Sequence, residues 1–165
     1  MAKVAVVMGS KSDLSVVKGA VTCLKDFGIE VEVRVISAHR TPMEAHDFAS
    51  KAKENGIEVI ICAAGKAAHL GGVMAAYTTL PVIGLPIKTD MMGGLDSLLS
   101  IVQMPSGIPV ATVGVNGAEN AGLLAAQILG VKYPDIAKKL SAYKLKMREK
   151  INADDKALQA EVAQF

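Results

Sequence analysis

Apolar and polar positions along this chain follow two periods that take turns. Val4–Met8, Val59–Cys62, Pro81–Leu85 and Val110–Val113 are short apolar runs rich in Val and Ile. Such runs predict strands buried on both faces of a parallel sheet. Val31–Ile36 instead alternates, with Glu32 and Arg34 between valines, which predicts a strand with one wetter face, at a sheet edge. Segments of helical length lie between the runs. Asp13–Phe27 carries Leu14, Val17, Ala20, Val21 and Leu24 at three-to-four spacing and stops at Gly28. Thr41–Lys53 opens with Thr41 as N-cap, Pro42 at the first helical position and Glu44 three residues after the cap, the pattern of a capping box. Ala68–Thr78, Leu95–Val102 and Glu119–Leu129 also read as helices. In the second of these, Leu95, Leu98, Leu99 and Val102 are expected in the core.

Strands that alternate with helices predict a doubly wound α/β, three-layer sandwich with a central parallel sheet, of flavodoxin-like strand order 2-1-3-4-5. The whole chain, residues 1–165, reads as a single domain with its sandwich core in residues 1–130. Residues 131–153 read as a protruding C-terminal helical arm, beginning near Pro134. Its charges cover most faces, and Ile136, Leu140, Tyr143 and Met147 form a narrow apolar stripe. The pattern fits an arm on a neighbouring subunit and a solvated terminal helix equally well. Residues 154–165 are polar with scattered alanines and are expected to fray.

Composition narrows the functional classes. Hydrophobic residues are 51% of the chain, enough for a sizeable core. Net charge is +2, which gives no electrostatic case for nucleic acid or an anionic membrane. With 3 Phe, 3 Tyr and no Trp, a base-stacking surface is not expected either. Cys23 and Cys62 fall in apolar stretches and fit buried reduced thiols of a cytoplasmic protein, not a disulfide framework. The opening apolar run ends at Gly9, too short for a signal peptide, and no apolar stretch approaches the ~18 residues of a membrane span. No cluster of His, Cys or carboxylates has metal-ligand spacing, so no metal is expected.

In open parallel sheets ligands bind outside the carboxyl ends of the strands, so the chemistry is sought there. Strand 1 is followed by Gly9-Ser10-Lys11-Ser12-Asp13, with hydroxyls beside a helix start, where an anion is favoured. Capping of that helix by Ser12 or Asp13 explains the same residues. Neither a G-x-G-x-x-G nor a Walker A pattern occurs. Strand 2 is followed by Ser37-Ala38-His39-Arg40-Thr41-Pro42. Arg40 can grip a phosphate through paired hydrogen bonds, and His39 can serve as a general acid-base near neutral pH. Both also read as ordinary surface-loop residues. After strand 3 comes Ala64-Gly65-Lys66-Ala67-Ala68-His69, whose small residues let backbone N–H groups face a small anion. There His69 is catalytic, ligand-shaping or structural, and Lys66 binds an anion or is solvated. The Met-rich loop Asp90–Gly94, after strand 4, reads as a lid or a plain surface loop.

Taken together, MGSKSD, SAHRTP, AAHL, LPVIG, GLDSLLSIVQMP, IPVATV and NAGLLAAQIL, in this order between Val4 and Leu129, resemble the N5-carboxyaminoimidazole ribonucleotide mutase family of purine biosynthesis, class I branch. That family is also described as the catalytic subunit of phosphoribosylaminoimidazole carboxylase. The resemblance implies a flavodoxin-like homo-octamer whose C-terminal helix reaches a neighbouring subunit. It implies an isomerase that moves a carboxylate from the exocyclic nitrogen of the substrate to ring carbon C4, without metal or other cofactor. It also implies a functional link to an ATP-dependent synthetase that makes the substrate. Carried over, Ser10 and Arg40 bind the 5′-phosphate, Asp13 the ribose hydroxyls, Ser37 lies nearby, and His39 is the acid-base residue. The backbone of Ala64, Gly65, Lys66 and Ala67 surrounds the migrating carboxylate, and His69 matches a histidine near that pocket.

The chain departs from the family pattern twice. Gly65-Lys66-Ala67-Ala68 stands where the family has Gly-Gly-Ala-Ala, and Gly71-Gly72 where it commonly has Pro-Gly. The alternatives are the direct carboxylase branch, which uses CO2, and a non-catalytic module that binds a phosphorylated metabolite. His69 in its AAHL context and SIVQMP resemble the mutase branch.

Overall fold

A computed structural model describes residues 1–165. Its strands are β1 (Lys3–Met8), β2 (Glu30–Val35), β3 (Val59–Ala64), β4 (Val82–Pro86) and β5 (Ala111–Thr112). Its helices are α1 (Leu14–Asp26), α2 (Pro42–Lys51), α3 (Leu70–Ala76), α4 (Leu95–Val102), α5 (Ala118–Gly130) and α6 (Pro134–Val162). All strands run parallel in the order β2-β1-β3-β4-β5, as the alternation predicts.

Strand periodicity divides the core into two layers. Val4, Val6 and Met8 of β1, with Val59, Ile61 and Ala63 of β3, pack against Val17, Ala20 and Leu24 of α1 and Ala121 and Ala125 of α5. The intervening Ala5 and Val7, with Ile60 and Cys62, pack against Phe48 of α2, Leu70 and Met74 of α3 and Ile101 of α4. Fully burying one such Val, Leu or Ile side chain contributes about 1.5–3 kcal/mol. An exposed ion pair contributes about 0–1 kcal/mol. The core therefore carries the fold. Lys3 of β1 pairs with Glu32 of edge strand β2 (3.0 Å), and Arg34 pairs with Glu32 along β2 (3.4 Å); the charges on β2 serve more to keep that edge from pairing with another chain. Cys23 and Cys62 are both buried and unpaired, one in each layer. Burial pushes the Cys62 thiol up; burial, with Glu119 and Asp26 nearby, pushes Cys23 up to about 11.

Local differences from the sequence expectation have identifiable causes. The first helix starts at Leu14, because Lys11–Asp13 forms a separate 3-10 turn capped by Ser10. It ends at Gly28, whose φ of 76° is left-handed. Thr41 does not cap α2 through its side chain; its Oγ1 donates to Ser37 O and accepts from Ser37 N instead. Leu99 and Val102 are not core residues: they are 45% and 47% exposed. α4 turns Ser97 and Ile101 inward instead, and the Ser97 hydroxyl reaches the carbonyls of Ile87 and Gly94, each at 2.8 Å.

α6 also differs. Ile136, Leu140 and Tyr143 anchor its first turns on the α1–α5 layer. Lys139 donates to Phe27 O, and Tyr143 to Glu119, both at 2.8 Å. At its entry Tyr133 and Lys132 donate to Glu58; burial opposes ionisation of this carboxyl, and the two donors hold it below its ordinary range. Met147, expected in the same stripe, is exposed. The helix runs past Asp154 to Val162. After Pro134 the segment has no Gly or Pro, and Ala153, Ala157 and Ala160 favour helix. No helix is long and apolar enough to cross a membrane.

Gly84 in β4 sets how closely α4 can approach: a Cβ there would lie 2.2 Å from Ile101 Cγ2. Gly84→Ala is expected to destabilise the fold by about 1–3 kcal/mol through overpacking, read as a lower midpoint in urea unfolding. An unchanged midpoint would show that α4 can retreat freely.

Candidate active site at the carboxyl edge of the sheet

The loops after β1, β2, β3 and β4 surround one cleft of about 1050 Å³. On the β1 side, Gly9 N donates to Ala63 O at 3.1 Å, which draws the loop across β3. Ser10 Oγ then accepts from Ser12 N and from Ser12 Oγ, the latter at 2.8 Å. Asp13 stands at the foot of α1 and lines the cleft. Partial burial raises its carboxyl pKa, and hydrogen bonds from Ser12 and the Ser10 backbone work against that rise.

On the β2 side, the Ser37–Thr41 turn is closed by the Thr41 hydroxyl, at 2.9 and 3.0 Å. Arg40 folds back over this turn. Its backbone N and Nε both donate to Ser37 Oγ, and Nη2 donates to Gly9 O at 2.8 Å. The guanidinium thus joins the β1 and β2 loops, and its other N–H groups have no protein acceptor. His39 is exposed, lines the cleft, and neither ring nitrogen meets a protein partner.

The loop after β3 supplies Ala64, Gly65, Lys66 and Ala67. The backbone N–H groups from Gly65 to His69 donate to no protein carbonyl. They form a run of free donors at the mouth of the cleft. Lys66 has φ 60°, a left-handed conformation that costs a non-glycine residue about 1 kcal/mol.

The cleft therefore gathers Ser10, Asp13, Ser37, His39, Arg40 and the Ala64–Ala67 segment. His69 stands apart. It is not among the cleft-lining residues, and its Nδ1 meets Ser100 O of α4. A carbonyl only accepts, so Nδ1 carries the proton. The ring lies against Gly72, where a Cβ would come within 2.0 Å of Nε2. Gly71 has no such constraint, since a Cβ there would meet Val110 and Cys62 at ordinary contact distances of 3.5 and 3.6 Å. No group of three or more His, Cys, Asp or Glu converges as a metal site.

On the β4 side, Asp90 and Met91, from the loop that reads as a lid or surface loop, line the cleft, while sequence reasoning missed Thr89, Asp96 and Asn116. Thr89 donates to Asp96 Oδ1, which also accepts from Ser97 N at 2.8 Å. Lys88 N donates to Asn116 Oδ1 at 2.8 Å. Thr89 and Asp96 line the cleft, while Asn116 braces it from the loop after β5. The signal for Asp96 was a carboxylate in the first turn of α4, which reads only as a favourable charge on the helix dipole.

Residues 3–150 match the family model described as AIR carboxylase. A Pyrococcus abyssi protein named N5-carboxyaminoimidazole ribonucleotide mutase is 60% identical over 148 residues, covering 90% of this chain and 85% of that one. A Thermotoga maritima protein of the same name is 56% identical over 151 residues, covering 92% and 88%. The crystal structure of Treponema denticola PurE superposes with a TM-score of 0.88 at 31% identity, covering 96% of this chain and 99% of that one.

Gly72→Ala is expected to expel the His69 ring from its seat and break its bond to Ser100, lowering stability by about 1–3 kcal/mol. In the native protein, nitrogen-detected NMR should find His69 as the Nδ1–H tautomer. An Nε2–H tautomer would refute the tether to α4.

Proposed function

Because the chain belongs to the AIR carboxylase family, we infer that it is an N5-carboxyaminoimidazole ribonucleotide mutase, an isomerase of purine biosynthesis. Its relatives at 50–60% identity bear that name along almost their whole length. The observation that carries the site assignment is the company His39 keeps: a histidine with both ring nitrogens free, next to a tethered arginine and opposite a run of unused N–H donors.

The proposed reaction starts with imidazolium at His39. It donates a proton to the exocyclic nitrogen of the carbamate; the C–N bond breaks, its electron pair stays on nitrogen, and CO2 is released. The aminoimidazole is now an enamine-like carbon nucleophile, and its C4 attacks the retained CO2 to form the C–C bond. His39 takes the C4 proton and is imidazolium again. One group serves both steps because the proton it gives is balanced by the proton it recovers. The N–H groups of Gly65 to Ala68 suit the carboxylate oxygens before and after transfer. Arg40, with Ser10 and Ser37, suits the phosphate. Asp13 suits the ribose hydroxyls, which donate to a carboxylate where a phosphate would be repelled.

The homo-octamer is proposed for the assembled enzyme. Two apolar surfaces without cover in the single chain support self-association: Leu99 and Val102 on α4, and Leu145, Met147 and Ile151 on α6. An ATP-dependent synthetase is proposed as the source of the substrate, and the cytoplasm as the compartment, where two buried thiols in separate layers stay reduced.

A paired assay tests the reaction. One arm supplies N5-carboxyaminoimidazole ribonucleotide, the other the decarboxylated ribonucleotide with bicarbonate. Efficient turnover is expected only in the first arm; efficient turnover in the second would assign the direct carboxylase instead. His39→Asn should lower kcat by at least about 100-fold, as loss of an acid-base group does, while substrate binding persists. Retained turnover would remove His39 from the chemistry. Light scattering should give the mass of an octamer, and a chain ending after Lys144 should give a smaller assembly.

A further inference from the structure

The site contains one cation that the family pattern does not supply. Lys66 is exposed, lines the cleft and makes no ion pair with any carboxylate. Its backbone is left-handed, at φ 60°, a conformation in which glycine would be free of strain. A lysine kept at a glycine-like position gains nothing for the fold: its side chain buries nothing, pairs with nothing and strains its own backbone. Strain of this kind persists where the side chain serves a site.

Its position says what it serves. Arg40 follows β2 and Lys66 follows β3, with β1 between them. The two loops are second neighbours along the sheet, and the Arg40 guanidinium reaches the β1 loop that lies between them. Arg40 is already fixed at one end of the cleft by Ser37 and Gly9. Lys66 lies within the run of N–H groups that have no protein acceptor, so that end of the cleft also awaits an anion. On the β4 side, Asp96 accepts from Thr89 and Ser97, and no carboxylate lies within ion-pair distance of the Lys66 ammonium. The cleft is thus built for a ligand with an anion at each end.

We propose that Lys66 binds the carboxylate of the ribonucleotide, so that this enzyme holds the carboxylated substrate and product more tightly than the decarboxylated intermediate. The assignment rests on the mutase reading above and adds a specificity-determining residue to it. A point charge on a flexible stem suits a carboxylate that changes its covalent partner during the reaction, because the ammonium can follow it.

The test measures binding by calorimetry for two ligands, the product 4-carboxy-5-aminoimidazole ribonucleotide and decarboxylated 5-aminoimidazole ribonucleotide. Wild type should prefer the carboxylated ligand. Lys66→Met should weaken that ligand about tenfold, as loss of a charge-assisted hydrogen bond does, with the decarboxylated ligand unchanged. Lys66→Arg should retain most of the preference. Lys66→Gly, which relieves the left-handed backbone, should fold at least as well as wild type and show the same loss as Lys66→Met. A preference that survives in both Lys66→Met and Lys66→Gly, or an equal loss for both ligands, overturns the proposal and leaves the mutase reading standing. Wild type that binds neither ligand overturns the mutase reading and the proposal with it.

Discussion

Everything at the functional end of this molecule depends on the strands being parallel. In a parallel ladder each strand leaves the sheet at the same edge and each return path is a helix on one face. The chain therefore delivers the segments after β1, β2, β3 and β4 to one place, though up to about 80 residues separate them in sequence. The constraint that keeps the ladder parallel is hydrophobic. β1 and β3 are buried on both faces, so each needs a helical layer above and below. A single helical layer would leave half of their Val and Ile side chains in water, at a cost of about 1.5–3 kcal/mol each.

The loops at that edge are not left to find their own arrangement. Arg40 clamps the β2 loop to the β1 loop through Gly9 O, and Gly9 N ties the β1 loop to β3. Asn116 fixes Lys88 N, and Ser97 holds the carbonyls of Ile87 and Gly94. His69 binds the start of α3 to α4 through Ser100 O. These bonds engage backbone groups of the loops and of the first and last turns around them. What they leave unused is equally informative. The His39 ring, part of the Arg40 guanidinium, the Lys66 ammonium and the N–H groups from Gly65 to Ala68 are among the polar groups of the cleft without a protein partner. A preorganised shell around uncommitted donors is the arrangement that acts on a developing charge without reorganising.

A second constraint acts away from the cleft. α4 and the distal half of α6 present apolar side chains to solvent in the single chain. In α4 this follows from Ser97 and Ile101 taking the inward positions, which rotates Leu99 and Val102 outward. The same helix carries Asp96 into the cleft and holds His69 at its other end. The outer face of α4 is therefore structurally continuous with the cleft.

The sequence by itself determined the layers, the strand order and the loops that form the cleft, because each rests on local periodicity or on short contiguous motifs. The apolar runs fixed which strands are central, the alternation of Val31–Ile36 placed β2 at the edge, and GSKSD, SAHR and GKAAH announced their loops. Tertiary structure alone decided the rest. Thr41 looks like a helix cap, yet its hydroxyl meets Ser37 because the turn brings that backbone closer. Leu99 and Val102 have core spacing, yet a serine goes inward where two carbonyls lie within its reach. His69 faces α4 because Gly72 leaves room for its ring. Asp96 joins the cleft through partners distributed over a separate loop. In each case the deciding contact joins residues that hydropathy treats independently. A hydroxyl or imidazole goes to a backbone group within its reach, and only the folded chain determines which group that is.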